Sequence, residues 1–377
     1  MKKIVFMLIL SIACVTSYGQ DHHDDLLNKL VEKNILTQAE ADELRTTQQS
    51  EDNKTRKTTS DKIRDAFNTP YMRFSGYGQF LYRYTDVGDI RHNAEPRLVF
   101  LAMNGELTNN IKYYVLSEFV NPMIYEFYGE WTPCVEFNIR AGQMKTPLSI
   151  ENQFSNSVLD VINSTRSISS LTGMSLDVLT PRKTSSSGGR DIGVRVSGDL
   201  LNNRLEYVVG IYQGAGINTS ENNNNKDFSS SLYLKPIEEL KIGGSAYFGE
   251  ACYSMNNILP VESHVRNRWV LSSEYNADRF HARAEWLHGN DGGIKREGLY
   301  GTANWYFVPK KMNVLAKIDC YNQNKDLDSK VTDYTAGVNY YFYKNCRLQV
   351  NYTYADYSEE WGANNSNMVL GQLQFAF

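Results

Sequence analysis

Beyond its first twenty residues, the 377-residue sequence lacks any run of 18 apolar residues. A helical membrane protein needs such runs repeatedly, so the absence argues against that class. Proline is also scarce, with 9 residues against 25 Tyr, 16 Phe and 5 Trp, a composition that favours strands. The formal net charge is −4, and −6 without Lys2 and Lys3. The chain therefore lacks the excess of positive charge that is typical of nucleic-acid-binding proteins.

Recognisable catalytic and metal-binding motifs are missing as well. There is no GxSxG, the six histidines are scattered, and the SSSGG run at 185–189 lacks the Lys-Ser/Thr ending of a phosphate loop. The cysteines left after export show no CxxC or Cys/His spacing and are better explained as unrelated residues than as a disulfide framework: Cys134, Cys252, Cys320 and Cys346. We therefore expect no enzyme, no metal and no cofactor.

The N-terminus has the pattern of a secretory signal peptide over residues 1–20. In MKKIVFMLILSIACVTSYGQ, two lysines precede an apolar core and then a small-residue cleavage site. A transmembrane anchor is disfavoured because the apolar core is short. Lipid attachment at Cys14 is a second alternative, although Ser11 matches the usual pattern poorly. The chain is predicted to be exported.

Residues 21–70 are predicted to form a helical hairpin and a polar linker on the periplasmic side. One helical face carries Leu26, Leu27, Leu30 and Val31, and the run from Thr37 to Glu40 is a capping box that starts a second helix. The hairpin is too small to fold alone, so its apolar stripe is expected to contact copies of itself or another protein.

From Tyr71 to the end, the hydrophobic pattern has period two. Sixteen segments alternate over eight or more residues, about the length that a tilted strand needs to cross a bilayer. They start near Met72, Pro96, Ile111, Met123, Val135, Asp191, Leu205, Phe228, Leu240, Arg268, Phe280, Gly298, Met312, Thr332, Leu348 and Met368.

The connections between these segments distinguish a membrane barrel from a soluble β-sandwich. Short turns such as NADR, PKK and KN alternate with longer links, and the longest runs from Lys145 to Gly189. That rhythm is typical of strands passing up and down through an outer membrane. Residues 71–377 are therefore predicted to be an all-β, 16-stranded antiparallel transmembrane β-barrel, preceded by the short helical extension.

The final segment, GQLQFAF, explains how the barrel would close. Val369, Leu373, Phe375 and Phe377 are predicted to face lipid, and Gln372 and Gln374 the lumen. Pairing with the first strand leaves no open edge. Phe377, with Phe375, also resembles the terminal signal by which the barrel-assembly machinery recognises outer-membrane barrels.

Two stretches, AEPRLVFLAMNGELTNNIKYYVLSEF and YEFYGEWTPCVEFNIRAGQMKTPLSIEN, carry a family resemblance. The segment from Gly142 to Glu151 is the most specific part. Together they resemble the phosphate-selective porin O and P family. The resemblance implies a usually trimeric outer-membrane porin whose third extracellular loop folds inward, and whose lumen arginines and lysines favour phosphate and other anions. The exposed helical stripe also suggests a homotrimer.

If 145–189 is the inward loop, it carries Lys145, Arg166, Arg182 and Lys183 against Glu151, Asp160 and Asp177, a net charge of +1, together with 11 Ser and 5 Thr. Successive side chains of a strand alternate between lipid and lumen. By this alternation, the cations predicted to face the lumen from the wall are Arg73, Arg83, Lys112, Arg140, Arg195, Arg283 and Lys317. The same face carries acids at Glu118, Glu126, Glu130, Glu136, Glu285 and Asp319.

This mixed face argues against strict phosphate selectivity but fits a porin that passes small hydrophilic solutes with an anion preference. The main candidates for attracting anions are Lys145, Arg166, Arg182, Lys183, Arg140, Arg195, Arg283 and Lys317. Structural ion pairs across the lumen wall are the alternative for each of them. A plugged structural or adhesive barrel, and an outer-membrane enzyme, are the alternative functions.

Overall fold

The computed structural model describes residues 31–33, 37, 40, 68–174, 188–253 and 261–377. The predicted signal peptide, most of the helical extension and two predicted pore residues, Arg182 and Lys183, lie outside the described residues. The chain divides into two compact units, Met1–Ala66 and Phe67–Phe377.

In the first unit, the hydrogen bonds confirm the predicted capping box. The Glu40 carboxylate accepts from the Thr37 backbone N–H at 2.8 Å and from the Thr37 hydroxyl at 2.7 Å, and the Glu40 N–H donates back to that hydroxyl at 3.4 Å. The bonds from the Thr37 backbone and side chain lower the pKa of the Glu40 carboxyl. A helix start is thereby fixed at Thr37.

The second unit is a closed antiparallel barrel of sixteen strands, which confirms the predicted fold. Each strand pairs with its neighbours in the chain, and β17 pairs with β2 to close the ring. A two-residue bridge, β1 (Asn68–Thr69), precedes them. The barrel strands are β2 (Met72–Thr85), β3 (His92–Thr108), β4 (Ile111–Glu118), β5 (Met123–Cys134), β6 (Phe137–Lys145), β7 (Arg190–Leu200), β8 (Leu205–Tyr212), β9 (Asp227–Ile237), β10 (Leu240–Tyr253), β11 (Glu262–Asn276), β12 (Phe280–Asp291), β13 (Ile294–Val308), β14 (Met312–Asn324), β15 (Ser329–Tyr343), β16 (Cys346–Tyr357) and β17 (Ser366–Ala376).

Several strand ends differ from the prediction. The starts of β3, β11 and β13, on the side of the longer loops, come before the predicted Pro96, Arg268 and Gly298. Strand ends that project beyond the bilayer do not contact lipid and need no apolar outer face. The alternation of apolar and polar residues therefore stops before the backbone hydrogen bonds of the strands do. The start of β6 is Phe137 rather than Val135, because β5 continues through Thr132 and Pro133 to Cys134.

The remaining regular elements are short. Two helices, α1 (Ile150–Gln153) and α2 (Arg166–Leu171), lie between β6 and β7, and a 3-10 helix spans Glu359–Trp361. No helix in the part of the chain that the structure describes is long and apolar enough to cross a membrane. The four cysteines of the barrel unit are free thiols. Over the same ranges, no group of three or more His, Cys, Asp or Glu residues is placed to hold a metal ion.

The two faces of the last strand separate as predicted. Gln372 and Gln374 are 1% and 0% exposed, whereas Phe375 and Phe377 are 55% and 77% exposed on the outer face. At the seam, Gly76 and Phe377 exchange two backbone hydrogen bonds of 3.0 Å. A Cβ atom on Gly76 would lie 2.6 Å from the Phe377 ring, so the seam requires glycine at this position. The chain terminus is thus part of the closing ladder.

Deleting Phe377 is expected to reduce the fraction of heat-modifiable barrel, because two seam hydrogen bonds and the terminal ring are lost together. Phe377→Leu keeps both backbone bonds and tests the ring alone. For both variants, gel mobility with and without heating measures the fraction of assembled barrel. Normal assembly of the deletion would contradict a role for Phe377, and normal assembly of Phe377→Leu would contradict a need for the aromatic ring.

Candidate functional site: the constricted lumen

The segment that joins β6 to β7 folds into the barrel. Leu148, Ile168 and Leu171 are at most 1% exposed and pack in one apolar cluster with wall residues that include Tyr247 and Leu287. These wall residues lie on β10 and β12, which adjoin neither β6 nor β7 in the ring of strands. The described part of the segment, 146–174 and 188–189, is called the inward loop below.

A buried carboxylate on the wall holds the first turn of the inward loop. Glu285, 1% exposed on β12, accepts from the Ser149 hydroxyl at 2.6 Å, from the Ile150 N–H at 2.7 Å and from the Glu151 N–H at 3.3 Å. The wall hydroxyls of Ser272 and Tyr300 donate to it at 2.6 and 2.9 Å. All of these donors satisfy the carboxylate without a cation, and together they fix the start of α1.

A second carboxylate holds the start of α2. Asp319 on β14 accepts from the Arg166 N–H at 2.6 Å and from the Ser167 hydroxyl at 2.8 Å. Glu151, from α1, accepts from the Thr165 N–H at 2.7 Å and from its hydroxyl at 2.8 Å. At the other end of α2, Arg268 donates to the Leu171 carbonyl at 2.9 Å. Both ends of α2 are therefore tied to neighbouring residues by charged side chains.

Between the two helices, wall amides replace the carboxylates. Asn339 and Gln349 both donate to the Asp160 carbonyl, at 2.9 and 3.0 Å, and Asn351 accepts from the Ile162 N–H at 2.7 Å. The amides also bond to one another across four strands, in a row that runs Asn313, Asn339, Gln349 and Gln372. Sequence reasoning did not identify this row, although alternation placed Gln372 in the lumen.

The inward loop narrows the lumen without filling it. A cavity of about 1010 Å³ remains beside the loop. Its lining includes Thr85 and Ser366, at the long-loop end of the barrel, and Asn345 and Ala376, at the short-turn end. We call this space the upper cavity. Residues from both ends of the barrel line it, as expected for a passage.

Of the six predicted anion-attracting residues that the structure describes, five line the upper cavity and one does not. Arg283 lines a separate lower cavity. The predicted cations that line the upper cavity are Arg140, Lys145, Arg166, Arg195 and Lys317. Arg97 and Arg190 line it too and were not predicted as pore residues, although Arg97 stands in the PRLVF stretch that carries the family resemblance.

Three of these cations are paired with wall carboxylates. Arg140 and Glu130 are 2.8 Å apart, Arg166 and Asp333 2.7 Å, and Arg190 and Glu126 2.7 Å. The Arg166 pair is bidentate, with a second bond of 2.9 Å. For these three arginines, the interpretation as structural ion pairs is the better one.

Four cations around the upper cavity have no such partner. Within the described residues, no carboxylate oxygen lies within 4.0 Å of Arg97, Lys145, Arg195 or Lys317. Arg97 instead donates to the Ile162 carbonyl at 2.7 Å and to Gln372 at 2.6 Å, and Lys145 donates to the Phe154 carbonyl. Among the described residues, these four side chains give the upper cavity an excess of positive charge.

Comparison with known families gives a match over almost the whole barrel. The model described as Phosphate-selective porin O and P matches residues 74–377. No curated protein sequence matches the chain.

Solved porin structures share the fold at low sequence identity. An anion-selective porin from Comamonas acidovorans is 11% identical, with a TM-score of 0.61, and the match covers 81% of this chain and 99% of that one. The trimer form of OmpT, an outer membrane protein of Vibrio cholerae, is 10% identical, with a TM-score of 0.56 and coverage of 81% and 99%. Salmonella typhi OmpF in complex with daunomycin is 13% identical, with a TM-score of 0.56 and coverage of 81% and 97%.

Removing the Glu285 anchor is expected to loosen the inward loop. Glu285→Ala leaves two loop N–H groups without their acceptor, and hydrogen bonds to charged groups are worth about 1.5–3 kcal/mol each. We expect larger and noisier single-channel conductance in planar bilayers. Glu136→Gln, on an exposed short turn, is the matched control. Wild-type conductance of Glu285→Ala would contradict the anchoring role.

Proposed function

This chain belongs to the phosphate-selective porin O and P family, and we propose that its pore passes small hydrophilic solutes by passive diffusion and favours anions. Family and fold are those of an outer-membrane porin, a channel rather than an enzyme. The one observation that carries the anion preference is the excess of unpaired cations around the upper cavity.

The pairing of the wall carboxylates supports this preference. The sequence places acids and bases on the same lumen face, but Glu285 and Asp319 are taken up by the inward loop, and Glu126 and Glu130 by arginines. A permeating ion therefore meets fewer free negative charges than the formal count suggests. Unpaired cations at a narrow point lower the electrostatic barrier to anions.

The hydroxyl groups that line the upper cavity are suited to letting an ion pass without binding it tightly. The upper cavity is lined by serine and threonine side chains from the inward loop and from the wall, which can replace part of a permeant ion's hydration shell. They include Ser155, Ser157, Ser164, Ser169, Thr335 and Thr353. The solved porin from Comamonas acidovorans is anion-selective, which is in line with this proposal but describes that protein only.

A homotrimer is the proposed assembly, and the barrel wall offers an interface for it. Three strands of one sector are short: β4 and β8 have 8 residues and β6 has 9, whereas β11, β13 and β15 have 15 each. The outer face of the short sector carries large exposed side chains, among them Phe127 and Trp131 at 61% and 46%. The trimer form of OmpT shows that a barrel of this fold can trimerise.

Truncating the short sector is expected to weaken the trimer. Phe127→Ala with Trp131→Ala removes apolar contact area there, and Trp286→Ala with Leu299→Ala removes similar area from the opposite sector. Sedimentation in mild detergent measures the mass of each complex. We expect the first pair to shift protein toward monomer and the second to leave the trimer intact. Equal behaviour of the two pairs would contradict an interface on the short sector.

Neutralising unpaired cations is expected to reduce the anion preference. Lys145→Gln with Arg195→Gln removes two positive charges from the upper cavity. In planar bilayers under a KCl gradient, we expect the reversal potential of this variant to move toward that of a non-selective pore, with the wild type favouring chloride.

A matched control separates free from paired charge. Arg140→Gln with Glu130→Gln also changes two charged residues of the same wall, but it leaves the net charge unaltered because the two form an ion pair. We expect this variant to keep the wild-type reversal potential. A cation preference of the wild type would overturn the proposed selectivity, and equal shifts in both variants would overturn the role of unpaired cations.

A further inference from the structure

The lower cavity, at the short-turn end of the barrel, has the features of a binding site. It has a volume of about 960 Å³, and its lining includes three short connections, around Ala277, Pro309 and Lys344. Phe154, which directly follows α1 in the inward loop, and Asn345 line both cavities, so the lower cavity adjoins the passage. The lower cavity is therefore next to the constriction at the short-turn end of the barrel.

Buried polar atoms without a hydrogen-bond partner collect on the lower cavity. Within the described residues, they include Nε and Nη1 of Arg283, Nε of Arg347, Oγ1 of Thr302 and Oδ1 of Asn304. Arg283 is 9% exposed and Arg347 1% exposed. Buried guanidinium and hydroxyl donors normally have acceptors, so a cluster that lacks them on one cavity indicates a ligand that supplies oxygen atoms.

The charges of the lining favour an anion. The lining carries five cationic side chains, Arg283, Arg347, Lys310, Lys311 and Lys344. It carries three acidic ones, Asp160, Glu274 and Asp278. Glu274 lies 3.6 Å from Arg283 Nε, within ion-pair range but beyond a hydrogen bond, and Asp160 accepts from Asn304 at 2.7 Å. Arginine is well suited to oxyanions because its donors form a planar fork.

Aromatic rings form the other part of the lining. His281 and Tyr306 have ring centroids 5.0 Å apart, and Tyr306 and Tyr341 are 6.5 Å apart at an interplanar angle of 30°. Arg347 lies 5.7 Å from the Tyr341 ring and donates to its hydroxyl at 3.2 Å. The row of rings therefore borders the arginine, and amphipathic aromatic side chains offer flat surfaces beside hydrogen-bonding groups.

We propose that the lower cavity binds a small solute that joins an oxyanion to a ring, and specifically a sugar phosphate. The phosphate oxygens accept from Arg347 and Arg283, and the sugar ring lies against Tyr306 and Tyr341. This site deepens the proposed function, because it adds a binding position for one class of anion below the general constriction.

Current interruptions in planar bilayers test the proposal, with glucose 6-phosphate, inorganic phosphate and glucose as probes added to either side. We expect glucose 6-phosphate to bind at least tenfold more tightly than either other probe, and more readily from the short-turn side. Arg347→Gln should weaken glucose 6-phosphate at least tenfold. Tyr306→Leu should weaken the binding of glucose 6-phosphate but leave the binding of phosphate unchanged. This second variant keeps the test valid if Arg347→Gln fails to assemble.

Arg204→Gln is the matched control, since Arg204 is exposed on another short turn and does not line the cavity. Equal binding of glucose 6-phosphate and phosphate, or equal loss in Arg204→Gln, would overturn the site. Reversal potentials in KCl report the general anion preference separately, so failure of one proposal is distinguishable from failure of the other.

Discussion

The structure depends on one constraint: in lipid, every backbone N–H and C=O group must find its partner within the protein. A closed ring of sixteen strands meets it, and the last two groups are satisfied where Phe377 exchanges hydrogen bonds with Gly76. Closure makes the period-two pattern unavoidable, because each strand then has one lipid face and one lumen face. The last strand is an example, because Gln374 is buried on the lumen face and the next residue, Phe375, is exposed on the lipid face.

The same constraint acts again inside the barrel. The inward loop carries its own backbone donors into the lumen, where they need acceptors, and Glu285 and Asp319 supply them from the wall. Each carboxylate keeps its negative charge, but it is buried beneath the loop and does not line the upper cavity. The electrostatics of the passage therefore follow from how the loop is held. Among the described residues, the lining cations left without a carboxylate partner are Arg97, Lys145, Arg195 and Lys317.

The strands and their faces could be predicted from sequence because alternation is a local signal, repeated in each segment. The partners of the lumen charges could not. Parity places Arg140 and Arg195 on one face, and they are direct neighbours across β6 and β7. Only Arg140 has a carboxylate beside it, Glu130 on β5. Arg283 shares that parity but lies nearer the short turns, in another cavity. Parity identifies a face, whereas height along the barrel and contact with a folded loop are long-range properties.

The two sides of the lumen consequently have different chemistry. The anchors of the inward loop, Glu285 and Asp319, lie on β12 and β14, whereas three of the four unpaired cations lie on β3, β6 and β7. Two of these three, Arg97 and Lys145, donate to carbonyl groups of the inward loop, so they line the passage where the wall and the loop meet. Clefts lined mainly by one sign of charge focus the field in a narrow, low-dielectric passage. The proposed anion preference is then a property of these lining cations, and the inward loop contributes by confining solutes against them.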